Sequence, residues 1–125
     1  MDKKHILILE TIKEFLESAE EDESRDRIKS SITMYFKAIV EACDFYIYNK
    51  ILKIPENHKE RFDYLKKYDF ELNEEIYSLF KIYRKTYSQK VDIADLVIVK
   101  NGAKKIIEKL KIDKAIKQMA EEKRD

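Results

Sequence analysis

The sequence predicts an all-α protein, an up-and-down bundle of four to five helices. Three observations carry that expectation. Only one glycine and one proline occur in 125 residues, whereas hairpins and sandwiches need turn residues. Apolar residues recur at intervals of three and four along most of the chain. The apolar fraction, 44%, is enough to fill one core, and the length suits one compact domain spanning residues 1–125.

The elements follow in order. Asp2 is placed as the N-cap of a first helix, with Ile8, Ile12, Phe15, Leu16 and Ala19 inward. Glu20–Arg27 (EEDESRDR) has no apolar residue, so a turn is expected there, with Asp22 or Ser24 capping the next helix. Ile28, Ile32, Tyr35, Ile39, Ala42 and Tyr46 form one stripe of the second helix, and Phe36, Val40, Cys43, Ile47 and Ile51 a second stripe beside it. Together they cover about half the circumference at ~100° per residue. Such a helix is buried by several neighbours or also serves a subunit interface. Pro55 is expected to stop it. A short third helix carries Phe62, Leu65 and Tyr68 inward. After KKYDFELN, a fourth runs to about Ser88 with Leu72, Ile76, Leu79, Phe80, Tyr83 and Tyr87. A fifth starts near Ile93 and carries Leu96, Val97, Val99, Ala103, Ile106, Ile107 and Leu110; Asn101–Gly102 weakens it without breaking it. Asp113 is placed as the cap of a last turn or two, KAIKQMAEE. VDIADLVIV has strand-like composition, but a lone strand has no partner, so it is assigned to helix.

Composition excludes several functions. Cys43 sits in an apolar run and reads as a small buried hydrophobe, with no disulfide and no CxxC pair available. Two histidines and one cysteine lie on separate elements, so neither metal nor cofactor is expected. A single glycine leaves no glycine-rich phosphate loop. No apolar run approaches the ~20 residues of a membrane span, and no signal peptide is recognised, so a cytoplasmic protein is expected. The Lys/Glu-rich composition resembles that of proteins from hot environments. The net charge of +1 hides an asymmetry: residues 1–80 hold 13 Lys/Arg against 18 Asp/Glu, and residues 81–125 hold 13 against 7. A basic back half favours an anionic partner or simply forms a solvated lysine face.

Two clusters carry the candidate chemistry. In KIPENHKERF, Lys53 to Phe62, Asn57 followed by Glu60 fits a helix N-cap with an acid at N3. On that reading the segment is only a helix entry. His58 and Arg61 lie on one helix face, and with Lys53 and Lys59 they could reach an anion at the helix start. Histidine can also move a proton near neutral pH. In YRKTYSQK, Tyr83 and Tyr87 stand one turn apart with Arg84 and Lys85 between them. Aromatics interleaved with cations can stack a base while pairing phosphates, or can simply bury rings and hold the dipole of a helix C-terminus. The turn at Pro55 is expected to bring the cationic tip and the Tyr83–Tyr87 segment to a common groove.

The order of three stretches resembles the HEPN (higher eukaryotes and prokaryotes nucleotide-binding) superfamily. SSITMYFKAIVEACDFYIYNKILKIPENH resembles its long central helix, LFKIYRKTYS its next long helix, and VKNGAKKIIEKL its final helix. Together they place a HEPN-like core at about residues 27–110. The resemblance implies a helical bundle, often a homodimer. It implies metal-independent ribonucleases, toxins of toxin–antitoxin pairs with small nucleotidyltransferase partners, or non-catalytic nucleotide and nucleic-acid binders. In the ribonucleases an arginine precedes the histidine by four to six residues. Here Lys53 takes the nearest matching position before His58, keeping the charge and losing the bidentate fork.

The leading expectation is a non-catalytic HEPN-like module that binds a nucleotide, nucleic acid or protein partner, with Asn57, Arg61, Tyr83, Arg84 and Tyr87 as binding residues. The alternatives are a divergent metal-independent RNase or toxin using Lys53 and His58 as its catalytic pair, and a helical dimeric interaction protein without an anion site.

Overall fold

The computed structural model describes residues 1–124, and every regular element among them is a helix. There are six: α1 (Lys3–Ser24), α2 (Ile28–Ile51), α3 (His58–Tyr68), α4 (Phe70–Ser88), α5 (Ile93–Lys109) and α6 (Ile112–Arg124). The all-α expectation holds, and the count exceeds the expected four to five. The difference lies at the C-terminus. Lys111 takes a left-handed conformation (φ 58°), so a full helix starts at Ile112, where only a turn or two after Asp113 was expected.

α1 and α2 form an antiparallel hairpin. Ser31 Oγ donates to the Ala19 carbonyl at 2.8 Å near the turn, and Tyr48 OH donates to Asp2 at 2.9 Å at the far end. The turn is shorter than its composition suggests. α1 runs on to Ser24, and only Arg25–Arg27 separate the two helices. The acidic run is tolerable in helix because its inner members find partners: Asp22 accepts from Ser30, and Glu23 accepts from Tyr35 and Lys100. Arg27 occupies the N-cap of α2, where Asp22 or Ser24 had been expected, and makes no side-chain cap bond.

α2 is the axis of the molecule. It packs against α1, α3, α4 and α5, so residues around its whole circumference are buried, among them Ile32, Phe36, Ala38, Ile39, Ala42, Cys43, Phe45 and Ile47. The second apolar stripe is therefore consumed within the chain. α2 ends before the proline: Leu52 adopts the left-handed conformation (φ 55°, ψ 34°) and donates its amide to Tyr48. The loop through Pro55 leads to α3, where Asn57 Oδ1 accepts from the Glu60 amide at 2.8 Å, the expected cap. Leu65 points inward as expected, whereas Tyr68 is exposed and Arg61 is buried in its stead.

Asp69 alone joins α3 to α4, ending one helix and capping the next through the Leu72 amide. VDIADLVIV is helical, opened by a reciprocal capping box between Asp92 and Asp95. Within α5, Gly102 has a packing reason: a Cβ there would stand 2.6 Å from Leu79 Cδ1 of α4. α6 returns to pack on α1 and α5, burying Ile112 and Met119. No helix among the described residues is long and apolar enough to cross a membrane.

Candidate functional site

A groove of about 270 Å³ opens where α1, α2, α3 and α4 meet. α2 supplies Phe36, Lys37, Val40 and Glu41, four residues spaced to share one side of a helix. Phe15 of α1, His58 of α3 and Tyr83 of α4 complete the wall. His58 of the α3 tip thus meets Tyr83, as expected, but the tip's cations Lys53, Lys59 and Arg61 do not line the groove, and the turn that brings the tip there begins at Leu52.

Behind the groove lies a buried polar chain. Asp44 and Arg61 are 4% and 7% exposed. The guanidinium grips the carboxylate with two bonds, Nε–Oδ1 at 2.7 Å and Nη2–Oδ2 at 3.0 Å. Its remaining arm, Nη1, stands 3.0 Å from His58 Nδ1. A guanidinium can only donate, so Nδ1 accepts. The imidazole proton therefore sits on Nε2. Aromatic neighbours fix the ring plane: Phe80 at 5.1 Å, and Phe36 and Phe62 at 6.5 Å between centroids.

This surrounding sets the charges. Burial, and secondarily the Arg61 charge, hold the His58 pKa below its ordinary value. Burial raises the Asp44 carboxyl, with Arg61 pulling the other way. Glu41 is raised by burial and by the neighbouring Asp44. Tyr83, packed face to face on Phe36 at 4.6 Å and 14° and bonded to the Tyr87 hydroxyl, is pushed up to about 12 by burial first and that bond second. Near neutral pH the groove presents an imidazole N–H, a phenol and the Lys37 ammonium, which lies 5.9 Å from the Phe15 ring centre.

The residues singled out from sequence divide into three groups. His58 and Tyr83 line the groove, and Tyr87, 72% exposed, extends its edge through Tyr83. Asn57 Oδ1 is occupied as a helix cap, and Arg61 is buried as the partner of Asp44. Lys53 is exposed in the loop and Arg84 lies over the Phe80 ring at 5.9 Å; neither lines the groove. Reasoning from sequence missed Phe15, Phe36, Lys37, Glu41 and Asp44. Asp44 carried a usable signal. An acid inside the apolar run VEACDFYIY demands a buried cation.

The other histidine is engaged elsewhere. His5 lies between Asp2 and Asn49 and against the rings of Phe45 and Tyr48. Cys43 is fully buried and its thiol is pushed up by desolvation, which leaves it inert. Among the described residues no group of three or more His, Cys, Asp or Glu could hold a metal ion. Comparison of the chain with protein families, with characterised proteins and with solved structures finds no match, so the functional reading rests on the site itself.

Proposed function

We propose that the chain is a non-catalytic, HEPN-like helical module that binds a nucleotide or a single-stranded nucleic-acid segment along the His58–Tyr83 groove. One observation carries the non-catalytic part: the Arg61 arm on His58 Nδ1. A general base acting through Nε2 needs its lone pair there and its proton on Nδ1, directly against a guanidinium N–H. Arg61 cannot retreat, because its other two bonds hold the buried Asp44. His58 is thereby suited to donate a hydrogen bond to a ligand oxygen and unsuited to take a proton. The binding part is supported by the groove's donors, by Lys37, and by aromatic surfaces at its rim.

The test is fluorescence anisotropy with labelled single-stranded RNA, followed by gel analysis of the recovered strand. The reading expects salt-dependent binding, intact RNA, and weakening by 1–3 kcal/mol, about 5–150-fold, in Tyr83→Ala. Metal-independent cleavage that disappears in His58→Ala would replace it with the RNase or toxin alternative using Lys53 and His58.

A second reading has its own observation. On the first turns of α5, Ile93, Val97 and Ile98 are 59%, 46% and 52% exposed. This is where a second copy of the chain, or the nucleotidyltransferase partner implied by the resemblance, would dock. Sedimentation equilibrium of the purified protein expects a dimer that Val97→Glu converts to monomer; a wild-type monomer at high concentration removes the homodimer.

A further inference from the structure

Arg84 and Lys85 have no place in the His58–Tyr83 groove, yet they line a cavity of their own. It measures about 240 Å³, lies on the outer side of α4 and is walled by Lys81, Arg84, Lys85, Ser88 and Gln89. Of its three cations only Lys85 pairs with an acid among the described residues, Asp95 at 3.5 Å. Lys81 and Arg84 are held instead by rings of their own helix. Lys81 Nζ lies 5.1 Å from the centre of Tyr77, and the Arg84 guanidinium 5.9 Å from that of Phe80. An aromatic face positions a cation without cancelling its charge. Nor do these two serve the dipole of α4. That effect fades within the last turn, where Lys85 already stands; Lys81 and Arg84 lie before it. One carboxylate thus faces three cations, with the Ser88 hydroxyl among them. The complement of such a wall is a phosphate group.

The place of this pocket beside the groove narrows the ligand further. Phe80 stands between the two, 5.9 Å from the Arg84 guanidinium and 5.1 Å from the His58 ring. Guanidinium and imidazole are therefore separated by no more than the sum of those lengths, within the reach of a dinucleotide. Round α4, at ~100° per residue, Tyr83, Tyr87, Arg84, Ser88 and Lys81 succeed one another in that order. Tyr87 is bonded to the Tyr83 hydroxyl and is 72% exposed, so its ring stands in solvent between groove and pocket.

We infer that α4 carries a track for a single strand of two or more nucleotides, an inference that rests on the nucleic-acid reading of the groove. One base enters the His58–Tyr83 groove, the next stacks on Tyr87, and a phosphate of the strand sits in the pocket of Lys81, Arg84 and Ser88. The two unpaired cations supply charge, and the serine hydroxyl donates to a phosphate oxygen. Phosphate contacts position a strand without reading its sequence. A mononucleotide would fill the groove and leave Tyr87 and the pocket idle, so the track selects a strand over a free nucleotide.

The experiment measures anisotropy of a labelled single-stranded oligouridylate on the full chain over a series of salt concentrations. Lys81 and Arg84 are exposed, so Lys81→Gln with Arg84→Gln leaves the fold intact. That double variant should flatten the slope of log affinity against log salt by about 0.7, the share of one single-strand phosphate. A control of equal charge, Lys114→Gln with Lys117→Gln, lies on α6, which packs on α1 and α5, and should keep the wild-type slope. Strand binding that Tyr83→Ala weakens while the Lys81/Arg84 variant keeps its full slope overturns the track and leaves the groove reading standing. An equal loss in the α6 control reduces the effect to net charge and also overturns it. Competition by uridine monophosphate that weakens in the Lys81/Arg84 variant as much as the strand does overturns it in favour of a mononucleotide site. Absence of wild-type binding even at low salt overturns the track and the groove reading together.

Discussion

Replacing Arg61 by alanine should be the most damaging single change near the groove. It strips two bonds from an Asp44 carboxylate that is 4% exposed. Breaking a buried pair on one side costs about 3–5 kcal/mol, because the surviving charge is left unpaired. An unfolding entropy of about 2.1 cal/mol/K per residue gives roughly 0.26 kcal/mol per degree for this chain, so the melting temperature should fall by about 12–19 °C at pH 7. Asp44 can escape part of the loss by taking a proton. Burial already raises its pKa, and without Arg61 the rise is larger. A carboxyl raised on folding contributes stability that is full below its unfolded pKa and lost as pH rises through its folded one. The deficit of Arg61→Ala should therefore shrink on acidification from pH 7 to pH 5. Replacing both partners, Asp44→Leu with Arg61→Met, should restore most of the stability. Calorimetry of the three variants and wild type closes the cycle. A fall of less than about 4 °C in Arg61→Ala, or losses in the double variant equal to the sum of the singles, would refute the claim that these side chains form one buried unit.

Three further outcomes follow from the same geometry. The His58 pKa is lowered on folding, chiefly by burial, so its contribution is present above the unfolded value near 6.5 and declines as pH falls from there through the folded pKa; urea titrations should show a smaller acid loss in His58→Gln, and an unchanged pH profile would contradict the packing around its ring. Leu52 holds a left-handed conformation with its side chain 68% exposed. Leu52→Gly should stabilise by about 0.5–1 kcal/mol, since glycine removes the Cβ strain and gives back part of it as chain entropy, and a lower midpoint in urea would show that the exposed leucine contributes more than the strain costs. Glu41 places a carboxyl in the groove, so Glu41→Gln should tighten RNA binding by up to about fivefold, about 1 kcal/mol; weaker binding in the anisotropy assay would mean that Glu41 contacts the ligand as an acceptor.

What the sequence revealed and what it hid have physical reasons. The helices were legible because the core positions are periodic: Ile32, Tyr35, Ile39 and Ala42 on α2, and Leu72, Ile76 and Leu79 on α4, are all buried. Asn57 was legible as a cap because capping is a local bond. The junctions were less so: Asp26 turns inside the stretch where a turn was expected, but Leu52 and Lys111 also take positive φ, and leucine and lysine carry no turn signal. Arg61 was misplaced because its partner lies 17 positions away on α2; a cation on a short polar helix reads as exposed until the fold brings an acid beneath it. The same long-range pairing decides His58. Its position on the helix start could be read from the chain, but the fate of its Nδ1 lone pair could not.

The account turns on that lone pair, and the most direct test is a long-range ¹⁵N–¹H correlation spectrum of the His58 imidazole at pH 7.5. It should show the neutral ring with its proton on Nε2 and an acceptor-type Nδ1, reverting toward an ordinary tautomer mixture in Arg61→Ala. A wild-type ring with its proton on Nδ1 and a free Nε2 would restore a competent general base to the groove and contradict the non-catalytic reading.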